Sequence, residues 1–376
     1  MEKKILFVLQ LVGHPRDSKR ISMLQREGFQ LEALAFERDY HKGRLPSCKV
    51  SFIGKLQHGR YFFRLLKILR AIPLIRKAIR RNEAVYASGQ DVAFASYLAG
   101  WGLGRPIIME VGDIVGLQVA DGFFGKIFRL IDRIVTSRYS SLVVISQGFL
   151  TTYYRKWLGV SIPALVIENK LSGEDFPQKP SYYRKSLSKE MPLADRHIRI
   201  GYFGLLRDDW SWRVLSNLAK NYPEKFEIVF AGYPVNPINI SELVNDFSNM
   251  SFLGEYKSPG QLPEIYEKVD MVWSCYPEIK SDDWNLRWGR PNRFYESCFF
   301  GKPCFAREGS LFAEDVKKFN LGCIIDDIDV SKVVDQISAI SMKDLNVWNR
   351  SVFELPPEIF MYLQEGKELA SMIRNL

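Results

Sequence analysis

Three side chains in the run W-G-R-P-N-R-F-Y-E-S-C-F-F-G-K-P, from Trp288 to Pro303, have types and spacing that suit one chemistry. Arg290 and Arg293 bring two cations to the start of a segment that reads as a helix. Glu296 follows Arg293 by three residues, so it falls on the same face one turn later. A helix that opens with arginines and exposed backbone N–H groups attracts a diphosphate. A carboxylate one turn beyond can accept hydrogen bonds from a ribose. Together they suit a nucleoside diphosphate. The plain alternative for the two arginines is ordinary charge on a helix surface.

A second candidate lies in I-R-I-G-Y-F-G-L-L-R-D-D-W, which places Gly201 and Gly204 at the end of a strand and Arg207 just beyond. Glycine there lets a backbone approach a phosphate closely, and Arg207 supplies charge. The spacing is not G-x-G-x-x-G, so a dinucleotide fold is not indicated, and a glycine after a strand also serves as a simple tight turn.

These residues need a frame. The chain alternates short apolar runs with helical stretches. Strands are expected at Ile5–Leu11, Gln30–Phe36, Val50–Ile53, Val85–Ala87, Pro106–Glu110, Ser141–Ile145 and Ala164–Glu168, with helices between them that include Lys126–Ser137 and Gln147–Leu158. After a Lys-, Ser-, Pro- and Asp-rich break the alternation restarts at Ile198–Phe203. It continues through Phe226–Ala231, Met250–Leu253, Met271–Cys275, Pro303–Ala306 and Gly322–Ile325. The expectation is an α/β protein of two Rossmann-like parallel-sheet domains. The N-terminal domain would span 1–170, a linker 171–197 and the second domain 198–354, with a last helix in 355–376. Ligands of such sheets bind outside the carboxyl ends of the strands, which places the site in a cleft between the domains.

Composition narrows the class. With 376 residues, 47% hydrophobic and 25% charged, the chain is long enough for two cores and is not a disordered one. The five cysteines are scattered without a C-x-x-C pair, which fits reduced thiols better than a disulfide framework or a zinc site. The apolar N-terminus reads as a first strand rather than a signal peptide, and no run approaches a membrane span. The net charge of +9 is uneven. From Lys55 to Arg81 there are nine lysines and arginines, interleaved with Leu, Ile and Phe, and no acid. A helix of this kind, kinked or split at Pro73, suits an anionic membrane surface; its alternative is a domain helix with a core face and a solvated basic face. Nucleic acid is not indicated, since no recognition motif accompanies the charge.

The ordered set of motifs resembles the nucleotide-sugar domain of GT-B glycosyltransferases, especially glycosyltransferase family 4. The matching segments are I-E-N-K-L-S-G-E-D-F (167–176), I-G-Y-F-G (200–204), F-E-I-V-F-A-G (226–232), M-S-F-L-G-E-Y (250–256), L-P-E-I-Y-E-K-V-D-M-V (262–272) and P-N-R-F-Y-E-S-C-F-F-G-K-P (291–303). The first half echoes the acceptor domain more loosely, through P-R-D-S-K-R-I (15–21) and S-L-V-V-I-S-Q-G-F (141–149). The resemblance implies that Arg293 sits on the donor diphosphate, Glu296 on the ribose and Gly204 close to the donor, with Arg207 a weaker match, and that the last helix in 355–376 crosses back to the first domain. The family pairs its ribose carboxylate with another eight positions earlier, and here that position is Trp288. Tryptophan can only stack or donate from its indole N–H, which leaves retention or inversion of stereochemistry open.

For an inverting reaction the base would come from the first domain. The segment E-V-G-D offers Asp113 in the loop after a strand, with Gly112 allowing a sharp turn, and Glu110 as second choice. Asp113 also suits a helix cap. His14, in the loop after the first strand, is a candidate for acceptor or phosphate contact together with Arg16 and Arg20. No metal cluster is apparent and no cofactor is expected. The implied function is transfer of a sugar from a UDP-linked donor to a lipid-linked saccharide at the inner face of the plasma membrane, in surface polysaccharide assembly. A sugar-nucleotide epimerase and a non-catalytic polysaccharide- or membrane-binding protein are the alternatives.

Overall fold

The computed structural model describes residues 3–37, 45–56, 61–178, 197–280 and 282–376. Most of the expected linker, 179–196, and residues 57–60 of the basic segment lie outside the described residues. The chain divides into two compact units, Met1–Asn169 with Leu363–Leu376, and Lys170–Tyr362.

The first unit holds seven parallel strands: β1 (Lys4–Leu9), β2 (Gln30–Glu37), β3 (Lys49–Lys55), β4 (Ala84–Ser88), β5 (Ile107–Val111), β6 (Ser141–Val144) and β7 (Ala164–Val166). Their order is β3-β2-β1-β4-β5-β6-β7. The central strand β1 pairs on both sides, Ile5 opposite Leu31 and opposite Ala84. Helices cover both faces, so Ile5, Leu6, Phe7, Val8 and Leu9 are all fully buried, each contributing about 1.5–3 kcal/mol. The C-terminal helix Glu365–Arg374 belongs to this unit. It buries Leu369, Ala370 and Ile373, and Lys3 Nζ donates to the carbonyls of Ile373 and Arg374 at its end.

The second unit holds β8 (Ile198–Leu206), β9 (Phe226–Pro234), β10 (Met250–Phe252), β11 (Met271–Trp273), β12 (Cys304–Arg307) and β13 (Gly322–Ile325), parallel and in the order β10-β9-β8-β11-β12-β13. Strand periodicity divides its core into two layers. Ile228 and Phe230 pack on one face with Trp273, Val214 and Ile337, while Val229 and Ala231 pack on the other with Tyr266, Phe294 and Phe312. The thirteen strands expected from the sequence are the thirteen found among the described residues, with ends shifted by at most a few residues.

Two helical expectations change in form, and the third, a basic helix kinked or split at Pro73, is met. The segment near Gln147–Leu158 is a π-helix over Phe149–Trp157. Residues 355–376 do not form one helix: a 3-10 turn at Pro357–Ile359 precedes Glu365–Arg374, and Met361 bridges to Leu171 within the second unit. The basic segment forms two helices, Tyr61–Arg70 and Ile72–Ile79, divided beside Pro73. Ile68, Ile75, Ala78 and Ile79 enter the core of the first unit. Arg64 pairs with Asp91, Lys67 donates to the Lys55 carbonyl, Arg76 donates to the carbonyls of Ala99 and Trp101, and Arg81 pairs with Glu32. No helix among the described residues is long and apolar enough to cross a membrane.

Candidate functional site

The second unit gathers its charge at the carboxyl end of β8. Helix Asn292–Phe299 starts after Pro291, and Arg293 lies in its first turn. From there Arg293 Nη1 donates to the Phe203 carbonyl at 3.1 Å. The guanidinium also sits over the Tyr202 ring at 4.9 Å and over the Tyr276 ring at 5.9 Å. Arg207 approaches the same Tyr276 ring at 5.8 Å, so one aromatic side chain carries two cations. Among the described residues, neither Arg207 nor Arg293 has a carboxylate ion partner. Like charges brought together without compensation are a standing attraction for an anion. Burial works against the Arg293 charge, but Tyr276 and Tyr202 outweigh it and raise its pKa further. Tyr202 is itself pushed up to about 12, by burial first and by Asp208, whose carboxylate accepts from the Tyr202 hydroxyl at 2.9 Å.

Gly204 follows Phe203 directly and has φ of 93°, a conformation that favours glycine. Opposite it on β9 stands Gly232, where a Cβ would overlap the Gly204 carbonyl. The strand end is thus open backbone beside the two arginines.

Glu296, one turn beyond Arg293, is only 8% exposed. Its Oε2 accepts from the Tyr266 hydroxyl at 2.8 Å. Burial first, and then the Glu296 charge, raise the Tyr256 and Tyr266 hydroxyls above their ordinary range, so both stay protonated as donors. The structure therefore brings Gly204, Arg207, Arg293 and Glu296 to one end of one sheet. Tyr202, Tyr256, Tyr266 and Tyr276 were not found from the sequence. They come from four separate segments, and only the fold assembles them.

Arg290 has a different environment. Its Nε binds Asp315 Oδ2 at 2.5 Å, with both side chains largely buried, so its charge is already balanced. Trp288 ends the short helix Trp284–Trp288 and is half-buried.

In the first unit the focus is Glu110, the fourth residue of β5. It is fully buried. Its Oε1 accepts from Arg20 Nε at 3.2 Å and pairs with Arg16 Nε at 3.4 Å, while Oε2 accepts from Tyr86 at 2.5 Å. Arg20, also fully buried, donates onward to the Ile167 carbonyl at 2.6 Å. A carboxylate enclosed in this way orients Arg16 rather than meeting a substrate itself. Gly112 does not have the positive φ that favours glycine. A Cβ there would overlap the Arg16 guanidinium, so the glycine makes room for that side chain. Asp113, one residue on, is exposed in the loop after β5. His14 precedes the helix Pro15–Arg26 and is half-buried.

Asp17, in the first turn of that helix, was not singled out from the sequence. It is buried, accepts from the Ser88 hydroxyl at 2.6 Å, and has its pKa raised to about 6. Burial is the main cause; Arg16 opposes it and the Glu110 charge adds to it.

No family model matches the chain. The succinoglycan biosynthesis protein ExoL of Rhizobium meliloti is 24% identical over 346 residues, which cover 90% of this chain and 85% of that protein. Among solved structures, HepE from Anabaena in complex with UDP and glucose matches with a TM-score of 0.68 at 15% identity, over 100% of both chains. The sucrose-phosphate synthase of Thermosynechococcus elongatus matches with a TM-score of 0.71 at 13% identity, over 99% of each. The chain has the GT-B fold. Likenesses this distant in sequence speak for the two Rossmann-like parallel sheets, and the chemistry has to be argued from the residues.

Proposed function

We propose that this GT-B protein is a glycosyltransferase that moves a sugar from a UDP-linked donor to a membrane-associated, lipid-linked saccharide in surface polysaccharide assembly. One observation carries the reading: Arg207 and Arg293 converge on Tyr276 without a carboxylate partner among the described residues, with Glu296 one turn beyond. In this reading the two arginines neutralise the diphosphate as charge grows on the leaving group, and the open backbone at Gly204 lets the donor come close. Glu296 accepts from the ribose, with its other contacts held by Tyr266. HepE, the fold neighbour solved with UDP and glucose, favours UDP as the nucleotide. The ExoL likeness favours a polysaccharide product.

On the acceptor side, Asp113 takes the proton of the attacking hydroxyl. The acceptor oxygen bonds to the anomeric carbon, and the bond from that carbon to the diphosphate oxygen breaks with its electrons leaving on the nucleotide. Arg16, oriented by Glu110, holds acceptor charge. Trp288 stands where a carboxylate would stabilise a retaining reaction, which favours inversion. The reaction is proposed to take place at the inner face of the plasma membrane.

Calorimetric titration of the full chain with UDP, GDP and ADP tests the donor reading. UDP is expected to bind most tightly, and absence of binding by all three overturns the transferase. Turnover with a membrane lipid extract then follows, with NMR of the anomeric centre of the product. Asp113→Asn should abolish it while leaving UDP affinity unchanged. An epimerase would release an epimer with no acceptor present.

A further inference from the structure

Helix Phe123–Thr136 is turned inside out for a water-soluble surface. The centre of its inward face is small or polar: Gly125 and Thr136 are buried and Asp132 points inward, with Phe128 and Val135 half-buried beside them. Asp132 accepts from the Tyr153 hydroxyl at 2.6 Å, from Gln118 Nε2 at 3.0 Å and from the Thr136 hydroxyl at 2.9 Å. Arg129 donates to the carbonyls of Gln118 and Ala120 at 3.0 and 2.8 Å. A Cβ at Gly125 would overlap the Ala120 carbonyl, so the close seat of the helix requires this glycine. The rotation of the helix is therefore over-determined, and turning it would leave a buried carboxylate without donors.

The opposite face is apolar and in solvent. Phe123 is 72% exposed, Phe124 78%, Ile127 39%, Leu130 57%, Ile131 53% and Ile134 53%. At helical spacing Phe123, Ile127, Leu130, Ile131 and Ile134 make one continuous stripe, and Phe124 widens its start. Exposed singly, such residues need no explanation, but a stripe of this extent does.

We infer that helix Phe123–Thr136 is a monotopic docking helix, which lies flat in the headgroup region of an anionic lipid bilayer with this stripe inserted. Charge complementarity selects the occupant. Between residues 121 and 139 the chain carries Lys126, Arg129, Arg133 and Arg138 against the inward-facing Asp132 and Asp121, which precedes the helix. Lys126, Arg133 and Arg138 are exposed and, among the described residues, have no carboxylate partner. Lys126 and Arg133 flank the same side of the stripe, placed to reach lipid phosphates while the apolar side chains insert. Trp157, 45% exposed and stacked under the Arg129 guanidinium at 5.6 Å, adds an aromatic of the kind that sits at a membrane–water boundary. Fourteen residues of helix are about 21 Å long, too short to span a bilayer but sufficient to lie in its surface.

This shifts the membrane contact from the 55–81 segment, where Arg64, Lys67, Arg76 and Arg81 already have protein partners. It stands apart from the donor reading, because neither the stripe nor its cations take part in nucleotide binding.

Co-sedimentation of the full chain with vesicles tests it without any substrate. Phosphatidylcholine–phosphatidylglycerol vesicles should pull the protein down, pure phosphatidylcholine much less, and added salt should weaken the binding. Phe123→Ser with Phe124→Ser, and separately Leu130→Ser with Ile131→Ser, should each reduce partitioning by at least about tenfold while UDP binding and thermal unfolding are unchanged. Lys126→Glu with Arg133→Glu should remove the preference for anionic lipid. Leu74→Ser, on the 55–81 segment, should leave partitioning intact. Failure of the wild type to bind anionic vesicles overturns the inference, as does equal binding by the serine variants. A concentration-dependent dimer lost in those variants, without vesicle binding, would assign the stripe to a second copy and overturn it too.

Discussion

Arg293 Nη1 and the Phe203 carbonyl are 3.1 Å apart, and that one hydrogen bond ties the helix Asn292–Phe299 to the residue before Gly204. The guanidinium is held at the strand end by main chain rather than by a carboxylate, so its charge is oriented and still available. An arginine fixed in this way is pre-organised for a diphosphate. Lysine cannot reproduce the arrangement, because a point charge has no planar fork to share between a carbonyl, two aromatic rings and a ligand.

Arg293→Ala should therefore weaken UDP binding by about 10- to 100-fold, the loss expected of a charge-assisted hydrogen bond worth about 1.5–3 kcal/mol. Arg293→Lys should recover only part of it. Titration calorimetry reads both. Equal affinity in wild type and Arg293→Ala would remove Arg293 from the donor site.

At Glu296 the informative change is to glutamine, because alanine would also strand the buried Tyr266 hydroxyl and confuse binding with stability. Glu296→Gln keeps an oxygen acceptor for Tyr266 and replaces the other carboxylate oxygen, with its charge, by an amide NH2 donor. Thermal unfolding should move little, while UDP affinity falls by about tenfold and affinity for inorganic pyrophosphate stays the same. A parallel loss for both ligands would show that Glu296 does not act on the ribose.

The frame was more legible than the site. Runs such as Ile5–Leu9 and Phe226–Ala231 announce buried parallel strands because helices cover both of their faces, and the thirteen strands among the described residues appear where such runs occur. The turn from Arg293 to Glu296 was legible for the same reason, since its partners lie within one turn of helix. Tyr202, Tyr256, Tyr266 and Tyr276 were not, because their meeting depends on strand order rather than on spacing. The Phe123–Thr136 segment shows the opposite failure: periodicity gave a helix but could not say which face turns inward. That is decided by Asp132 and its donors Tyr153 and Gln118, which lie outside the helix.

Gly112 gives a steric prediction. Its missing side chain leaves the space that the Arg16 guanidinium occupies, beside a Glu110 carboxylate that is fully buried. Gly112→Ala should push the flexible Arg16 guanidinium aside and weaken its pairing with Glu110, which destabilises the first unit by about 1 kcal/mol or less. Gly112→Ala combined with Arg16→Ala should relieve the overlap. If denaturant unfolding shows the two changes to be additive, the contact inferred here does not govern that position.

Asp17 gives a pH prediction whose sign follows from burial. Its pKa in the fold is about 6, above the ordinary 3.8, so the folded state favours the protonated carboxyl. The stabilisation it supplies is complete below about pH 4 and is lost as pH rises through about 6. A shift of this size corresponds to about 3 kcal/mol across that window. Asp17→Asn keeps an acceptor for the Ser88 hydroxyl and stays neutral at every pH. The variant should match wild type at about pH 4 and exceed it in stability at about pH 7, with the difference opening between those values. Urea unfolding of both proteins across this range reads the difference directly. Curves that run parallel would mean that the Asp17 carboxyl is ionised in the fold throughout, with Arg16 and Arg20 outweighing its burial.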